Sequence, residues 1–219
     1  MKTKLLGVLA LAGLVLPVMA AAYGGWAVIT MDDLPDYAVA GAPLTLDFSV
    51  RQHGKTLLSG LKAQVEARSG PSRIMVPADP GKGSGRYRAT ITLPQAGDWT
   101  ITVHSGFLNS RATLLPLTAL EPGQKPTTTL ADAQRGRRLF LAKGCFTCHV
   151  HRGFNQASVE VGPELTGTTL PADYLRQFLA DPEMAARKAG YPAMPNYHLD
   201  QREIAALSAF LTAPSQAAR

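Results

Sequence analysis

The chain has 219 residues, enough for one large or two small domains, with 22 Lys and Arg against 16 Asp and Glu. The two halves carry similar, thin positive excesses, and no basic run is interleaved with aromatics, which argues against a nucleic-acid partner. The mild positive charge suits steering of an acidic protein partner.

The N-terminus is read as a targeting segment and not as part of a fold. Lys2 and Lys4 precede an almost wholly apolar run at 5–19, and Val18-Met19-Ala20 is a cleavage site before Ala21, so residues 1–20 are expected to be a signal peptide. The run contains Pro17 and is short of the roughly 20 residues a membrane span needs; an uncleaved anchor is the alternative. No Cys stands at the cleavage point for a lipid anchor. The expected location is periplasmic or otherwise extracytoplasmic.

Residues 21–120 have the two-residue period of half-buried strands. Leu44, Leu46, Phe48 and Val50 alternate with Thr45, Asp47, Ser49 and Arg51; Tyr87, Ala89, Ile91 and Leu93 form a second such run, Trp99, Ile101 and Val103 a third, and Leu61, Ala63, Val65 and Ala67 a fourth. Gly- and Pro-rich turns separate them, which predicts an antiparallel β-sandwich with Tyr87 and Trp99 in its core. Residues 121–129, EPGQKPTTT, are aperiodic and are expected to be a linker between domains with separate cores.

Residues 130–219 turn helical. Thr129 is the expected N-cap of a helix reaching Lys143 and ending at Gly144; a second helix is expected at 174–180, stopped by Asp181-Pro182; a short one at 182–188; and a last one opening at Leu199 or Asp200 and running to Leu211.

Between the first two helices stands Cys145-Phe146-Thr147-Cys148-His149, the C-x-x-C-H signature of c-type haem attachment. Two thiols at this spacing each form a thioether with one vinyl group of a porphyrin, and the adjacent imidazole binds the iron. A redox dithiol does not require His149, and a structural zinc site needs further ligands for which no second C-x-x-C follows. Both cysteines of the chain lie in this motif.

With the motif and its flanks, residues 130–214 resemble the small bacterial class I cytochrome c family. The stretch RGRRLFLAKGCFTCH looks like the family's first helix running into the haem site, with Gly136 and Phe140 at the positions that cross the C-terminal helix, here EIAALSAFL. The resemblance implies that the carbonyl of Pro163, in Gly162-Pro163-Glu164-Leu165, accepts a hydrogen bond from His149. It also implies that Met194, in MPNY, is the sixth iron ligand. Met184 and His198 are the rivals of Met194; His151 is too near His149 to cross the ring. Tyr174, Tyr191, Tyr197, Arg137, Arg138 and Arg152 are candidates for the haem propionates, with none assigned.

GRYRATITLPQAGDWTITV resembles periplasmic Ig-like domains of the FixH and YtkA type, through Gly85, Tyr87, Pro94, Gly97 and Trp99, mostly turn and core residues that speak to fold. The expectation is thus an all-β Ig-like sandwich followed by an all-α class I cytochrome c domain. It is expected to carry one covalent haem c on Cys145, Cys148, His149 and Met194 and to transfer single electrons to redox partner proteins, docked to a membrane-bound respiratory or other redox complex through its β-sandwich. No small-molecule substrate is expected. Two alternatives stand beside it. One is a five-coordinate haem enzyme of peroxidase-like or gas-binding type. The other is a copper-handling protein with an attached cytochrome domain, using His53, His104 and Met31 or Met75.

Overall fold

A computed structural model describes residues 25–127, 129–184 and 193–214. The expected signal peptide and Tyr191 lie outside them. In chain order the strands are β1 (Ala27–Met31), β2 (Ala38–Val39), β3 (Pro43–Gln52), β4 (Thr56–Leu57), β5 (Gln64–Ser69), β6 (Ser72–Pro77), β7 (Asp79–Pro80), β8 (Arg86–Thr92), β9 (Gly97–His104), β10 (Arg111–Thr113) and β11 (Leu117–Leu120). One sheet runs β1-β3-β8-β7, with β4 paired to β3; the other runs β2-β11-β9-β5-β6, with β10 paired to β9. Every pairing is antiparallel except β2 with β11.

The alternation seen in the sequence places the core between the sheets. Phe48 stands opposite Tyr87 and Leu46 opposite Ala89 in one sheet. Val65 stands opposite Val103 and Ala67 opposite Ile101 in the other. The two large amphipathic side chains are buried with their polar ends satisfied, as burial demands. The Tyr87 hydroxyl donates to the Leu58 carbonyl at 2.6 Å, and Trp99 Nε1 donates to the Gln95 carbonyl at 3.0 Å. The expected strand at Leu61 begins three residues later, at Gln64.

β1 escaped the two-residue pattern because both its faces are covered. All five of its residues are buried. Ile29 and Met31 join the hydrophobic core, whereas the Thr30 hydroxyl donates to the Lys143 carbonyl at 3.4 Å, in the helical half. A strand buried on both sides reads as a continuous apolar run.

The C-terminal half holds α1 (Asp132–Ala142), α2 (Ala172–Ala180) and α3 (Gln201–Thr212), with 3₁₀ turns at Cys145–Thr147 and Pro182–Met184. The α1 N-cap is Ala131, not Thr129: the Ala131 N–H donates to the Gln134 side chain, so the helix closes two residues later than expected. At α3, Asp200 and Glu203 form a reciprocal capping box, with bonds of 2.8 and 3.2 Å. Of the short helix expected at 182–188, the turn Pro182–Met184 is present and the rest lies outside the described residues. The α1–α3 crossing depends on Gly136, because a Cβ there would collide with the Ala206 carbonyl; Phe140 fills the space beside it, 5.8 Å from the Phe210 ring centre. No helix among the described residues is long and apolar enough to cross a membrane.

The halves are packed against each other, which the polar linker did not foretell. Buried Lys143 donates to the Asp32 carbonyl at 2.9 Å and pairs with Glu203 at 2.6 Å. Arg135 pairs with Asp36 at 2.8 Å, Arg138 donates to the Asp36 carbonyl at 2.7 Å, and Gln156 donates to the Thr113 carbonyl at 2.7 Å. Gly144 adopts a left-handed backbone, φ 77°, that ends α1 and lets the chain pass against β1; a Cβ would meet Val28 at 2.5 Å and the Ile29 carbonyl at 2.6 Å.

Candidate functional site

A cavity of about 680 Å³ opens between the three helices and the sandwich, within the range of small-molecule and cofactor sites. Cys145, Cys148, His149, Pro163 and Met194 all line it. The elements deliver them from different directions. The 3₁₀ turn after α1 presents Cys145 and, immediately beyond it, Cys148 and His149. The following loop returns to place Pro163, held by Gly162 N–H donating to the Cys148 carbonyl at 2.9 Å and Leu165 N–H to the Val150 carbonyl at 2.8 Å. Met194 comes from the segment before α3 and packs half-buried on the core. Leu175, Phe178 and Leu179 of α2 and Leu207 and Leu211 of α3 supply an apolar lining.

His149 is prepared for metal binding by its neighbour. Its Nδ1 lies 2.9 Å from the Pro163 carbonyl oxygen. A carbonyl only accepts, so Nδ1 carries the proton and Nε2 keeps its lone pair. Burial holds the imidazole pKa below its ordinary value, with the Pro163 bond opposing, so the ring is neutral near pH 7. Gly162 lets this loop lie against the ring; a Cβ there would come within 2.5 Å of His149 Cε1.

The thiols do not suit a redox dithiol. Burial pushes Cys145 up to about 12 and Cys148 up to about 11, whereas reactive dithiols have depressed values. Two half-buried thiols, a neutral imidazole oriented by a carbonyl, and a thioether, all facing one apolar cavity, are a donor set that fits a covalently held haem.

The rivals and propionate candidates separate by position. Exposed Met184 and exposed His198 are not among the cavity-lining residues. His151 packs instead on Phe210, ring centres 4.8 Å apart. Arg137 donates to the Gly153 carbonyl, Arg138 to that of Asp36, and Arg152 pairs with Glu164. Tyr174 and Tyr197 line the cavity, and burial pushes the Tyr197 phenol well above its usual range.

The residues proposed for copper are not brought together. His53 follows β3 in one sheet and lines the large cavity; His104 ends β9 in the other, 3.3 Å from Glu66. Met31 is fully buried in the core, and Met75 is exposed beside His104. Among the described residues no three His, Cys, Asp or Glu stand together as a metal site.

Sequence reasoning missed three cavity-lining residues from the sandwich: Trp26, His53 and Gly54. The polar strand end Arg51-Gln52-His53-Gly54 was the available signal, but nothing in its own pattern pointed to a cavity formed with residues about 140 positions away.

Residues 131–211 match the family model described as cytochrome c oxidase, cbb3-type, subunit III, which supports a cytochrome c domain in the C-terminal part of the chain. No curated protein matches the chain. Among solved structures, the Lin-41 filamin domain is similar at 18% identity, over 43% of this chain and 90% of that one, with a TM-score of 0.35. A superoxide reductase (neelaredoxin) from Ignicoccus hospitalis is similar at 14% identity, over 42% of this chain and 80% of that one, with a TM-score of 0.30. Neither likeness carries an argument about function.

Proposed function

We propose that the protein is an exported monohaem c-type cytochrome that passes single electrons between redox proteins. In this reading residues 1–20 are a signal peptide, 21–120 the sandwich, 121–129 a linker and 130–219 the cytochrome domain. Cys145 and Cys148 attach one haem c, His149 and Met194 ligate its iron, and the protein acts outside the cytoplasmic membrane. When bound, haem supplies a one-electron ferric–ferrous couple.

The chain's own residues set the conditions for that couple. Pro163 orients His149 and keeps its proton on Nδ1, which raises the basicity of the other nitrogen. The apolar lining excludes water and lowers the local dielectric. His149 and Met194 would hold the iron, and Met194, a soft ligand, would favour the ferrous state and a high potential, which suits electron transfer. The similarity to subunit III of a cbb3-type oxidase favours a respiratory oxidase or its donor as partner.

The observation that carries the reading is the His149–Pro163 bond in a cavity shared with Cys145, Cys148 and Met194. Met194→Ala tests it: the ferric sulfur-to-iron charge-transfer band is expected to vanish, the potential to fall, and ferrous iron to bind carbon monoxide. If these stay as in the wild type while His198→Ala alters them, Met194 is not the ligand.

A further inference from the structure

The β-sandwich contributes a wall to the cavity, and the wall lies against the segment that carries Met194. Residues 194–197 belong to no helix or strand. Among the described residues, local hydrogen bonding there is slight: Asn196 accepts from the His198 N–H at 2.8 Å, beyond the methionine. The position of this segment therefore depends on what packs against it.

Among the described residues, the β3–β4 hairpin packs against it beyond the methionine. Gly54 sits at the hairpin's tip in a left-handed conformation, φ +71°, and a Cβ there would lie 3.3 Å from Pro195 Cγ and 3.8 Å from the Tyr197 hydroxyl. The Arg51 guanidinium carbon stands 5.9 Å from the centre of the Tyr197 ring. His53, itself at φ 50°, sets its ring edge-on to Trp26 with centres 5.4 Å apart, and both line the cavity with Gly54. The hairpin is anchored by the His53 N–H donating to the Trp26 carbonyl at 3.0 Å and by β3 pairing with β1. Its position is thus set by the sandwich core and not by the helices.

We propose that this hairpin, with Trp26, is a positioning element for the sixth iron ligand: it braces residues 194–197 at the cavity and shields that side from water. The inference rests on the proposed haem ligation. A thioether ligand on an unbraced loop competes poorly with water and exogenous ligands, and the apolar shell around a metal sets its potential, so the brace favours Met194 ligation and a higher potential. The sandwich is then part of the redox site.

The test compares two glycines with nearly the same backbone. Gly41, φ +74°, has nothing within 4 Å of a built Cβ, whereas at Gly54 the Cβ presses on Pro195. Gly54→Ala and Gly41→Ala impose the same left-handed strain, but only the first disturbs the brace. In the full-length holoprotein, Gly54→Ala is expected to lower the midpoint potential, weaken the charge-transfer band and speed carbon monoxide binding to ferrous iron by about tenfold. Gly41→Ala should leave all three at wild-type values. Should Gly54→Ala fail to accumulate, Trp26→Ala, which opens the cavity wall without substituting a left-handed residue, is expected to shift the same three readouts. Equal behaviour of the two glycine variants, or unchanged readouts in Trp26→Ala, overturns the brace. A wild-type protein with no charge-transfer band overturns the Met194 ligation beneath it instead.

Discussion

The two halves solve the burial problem differently. The sandwich closes on itself: Trp99, Tyr87, Phe48 and Ile101 are almost wholly buried, and the polar ends of Trp99 and Tyr87 bond to backbone carbonyls of the same half. The helical half does not close. α1 and α3 interlock at Gly136, but Leu175, Leu179, Leu207 and Leu211 face a cavity, and the remaining wall is borrowed from the sandwich. A small domain built around a cofactor leaves room for it at the expense of its own core. The lesson is that the half with a filled core supports the half that carries the chemistry, while the helices in turn cover the outer face of β1.

The sharpest way to break this contrast is to damage the sandwich. Trp99→Ala empties the centre of its core and is expected to cost about 4 kcal/mol. If the halves are coupled as the structure indicates, the denaturation midpoint of the helical half, followed by far-ultraviolet helix signal, falls as well. An unmoved helical midpoint would show two independent bodies.

Next in size is the joint itself. Lys143 is buried at the end of α1, where it bonds the Asp32 carbonyl of the sandwich and the Glu203 carboxylate of α3. Lys143→Ala removes the ion-pair partner of Glu203, which keeps only its capping bond from the Asp200 N–H, and is expected to cost about 3 kcal/mol. The wild type, coupled across this joint, is expected to unfold in one transition and Lys143→Ala in two, resolved by tryptophan emission and helix signal.

Much of this architecture was legible in advance, for identifiable reasons. The strands β8 and β9 alternate because one face of each meets solvent, β3 alternates in sequence although Ser49 is buried too, and the C-x-x-C-H motif is a local arrangement whose chemistry demands its spacing. β1 was missed because covering both faces erased its alternation. The Ala131 cap was missed because Thr129 has the better side chain for the role, yet Gln134 closes on Ala131. Trp26, His53 and Gly54 were invisible as cavity residues because a contact between distant elements leaves no periodic trace.

The smallest predicted effect concerns the sandwich surface. Hydrogen bonds from Arg73, then Arg68, hold the buried Glu66 carboxyl down to about 2 from its usual 4.5. A depressed carboxylate stabilises the fold above its unfolded pKa and loses that contribution as pH falls through the folded value. Glu66→Gln should therefore be less stable than the wild type at neutral pH. The gap should close as pH drops from about 4.5 to about 2, read from urea midpoints across that window. A gap that does not change with pH contradicts the assignment.

The central claim is tested most directly by the mass of the mature protein made in a host that attaches haem to exported chains. The account predicts the mass of the processed chain plus one haem, retained through denaturation and acid–acetone extraction, and the bare chain mass when Cys145 and Cys148 are both replaced by Ala. Intact wild-type protein exported by such a host without bound haem would contradict it.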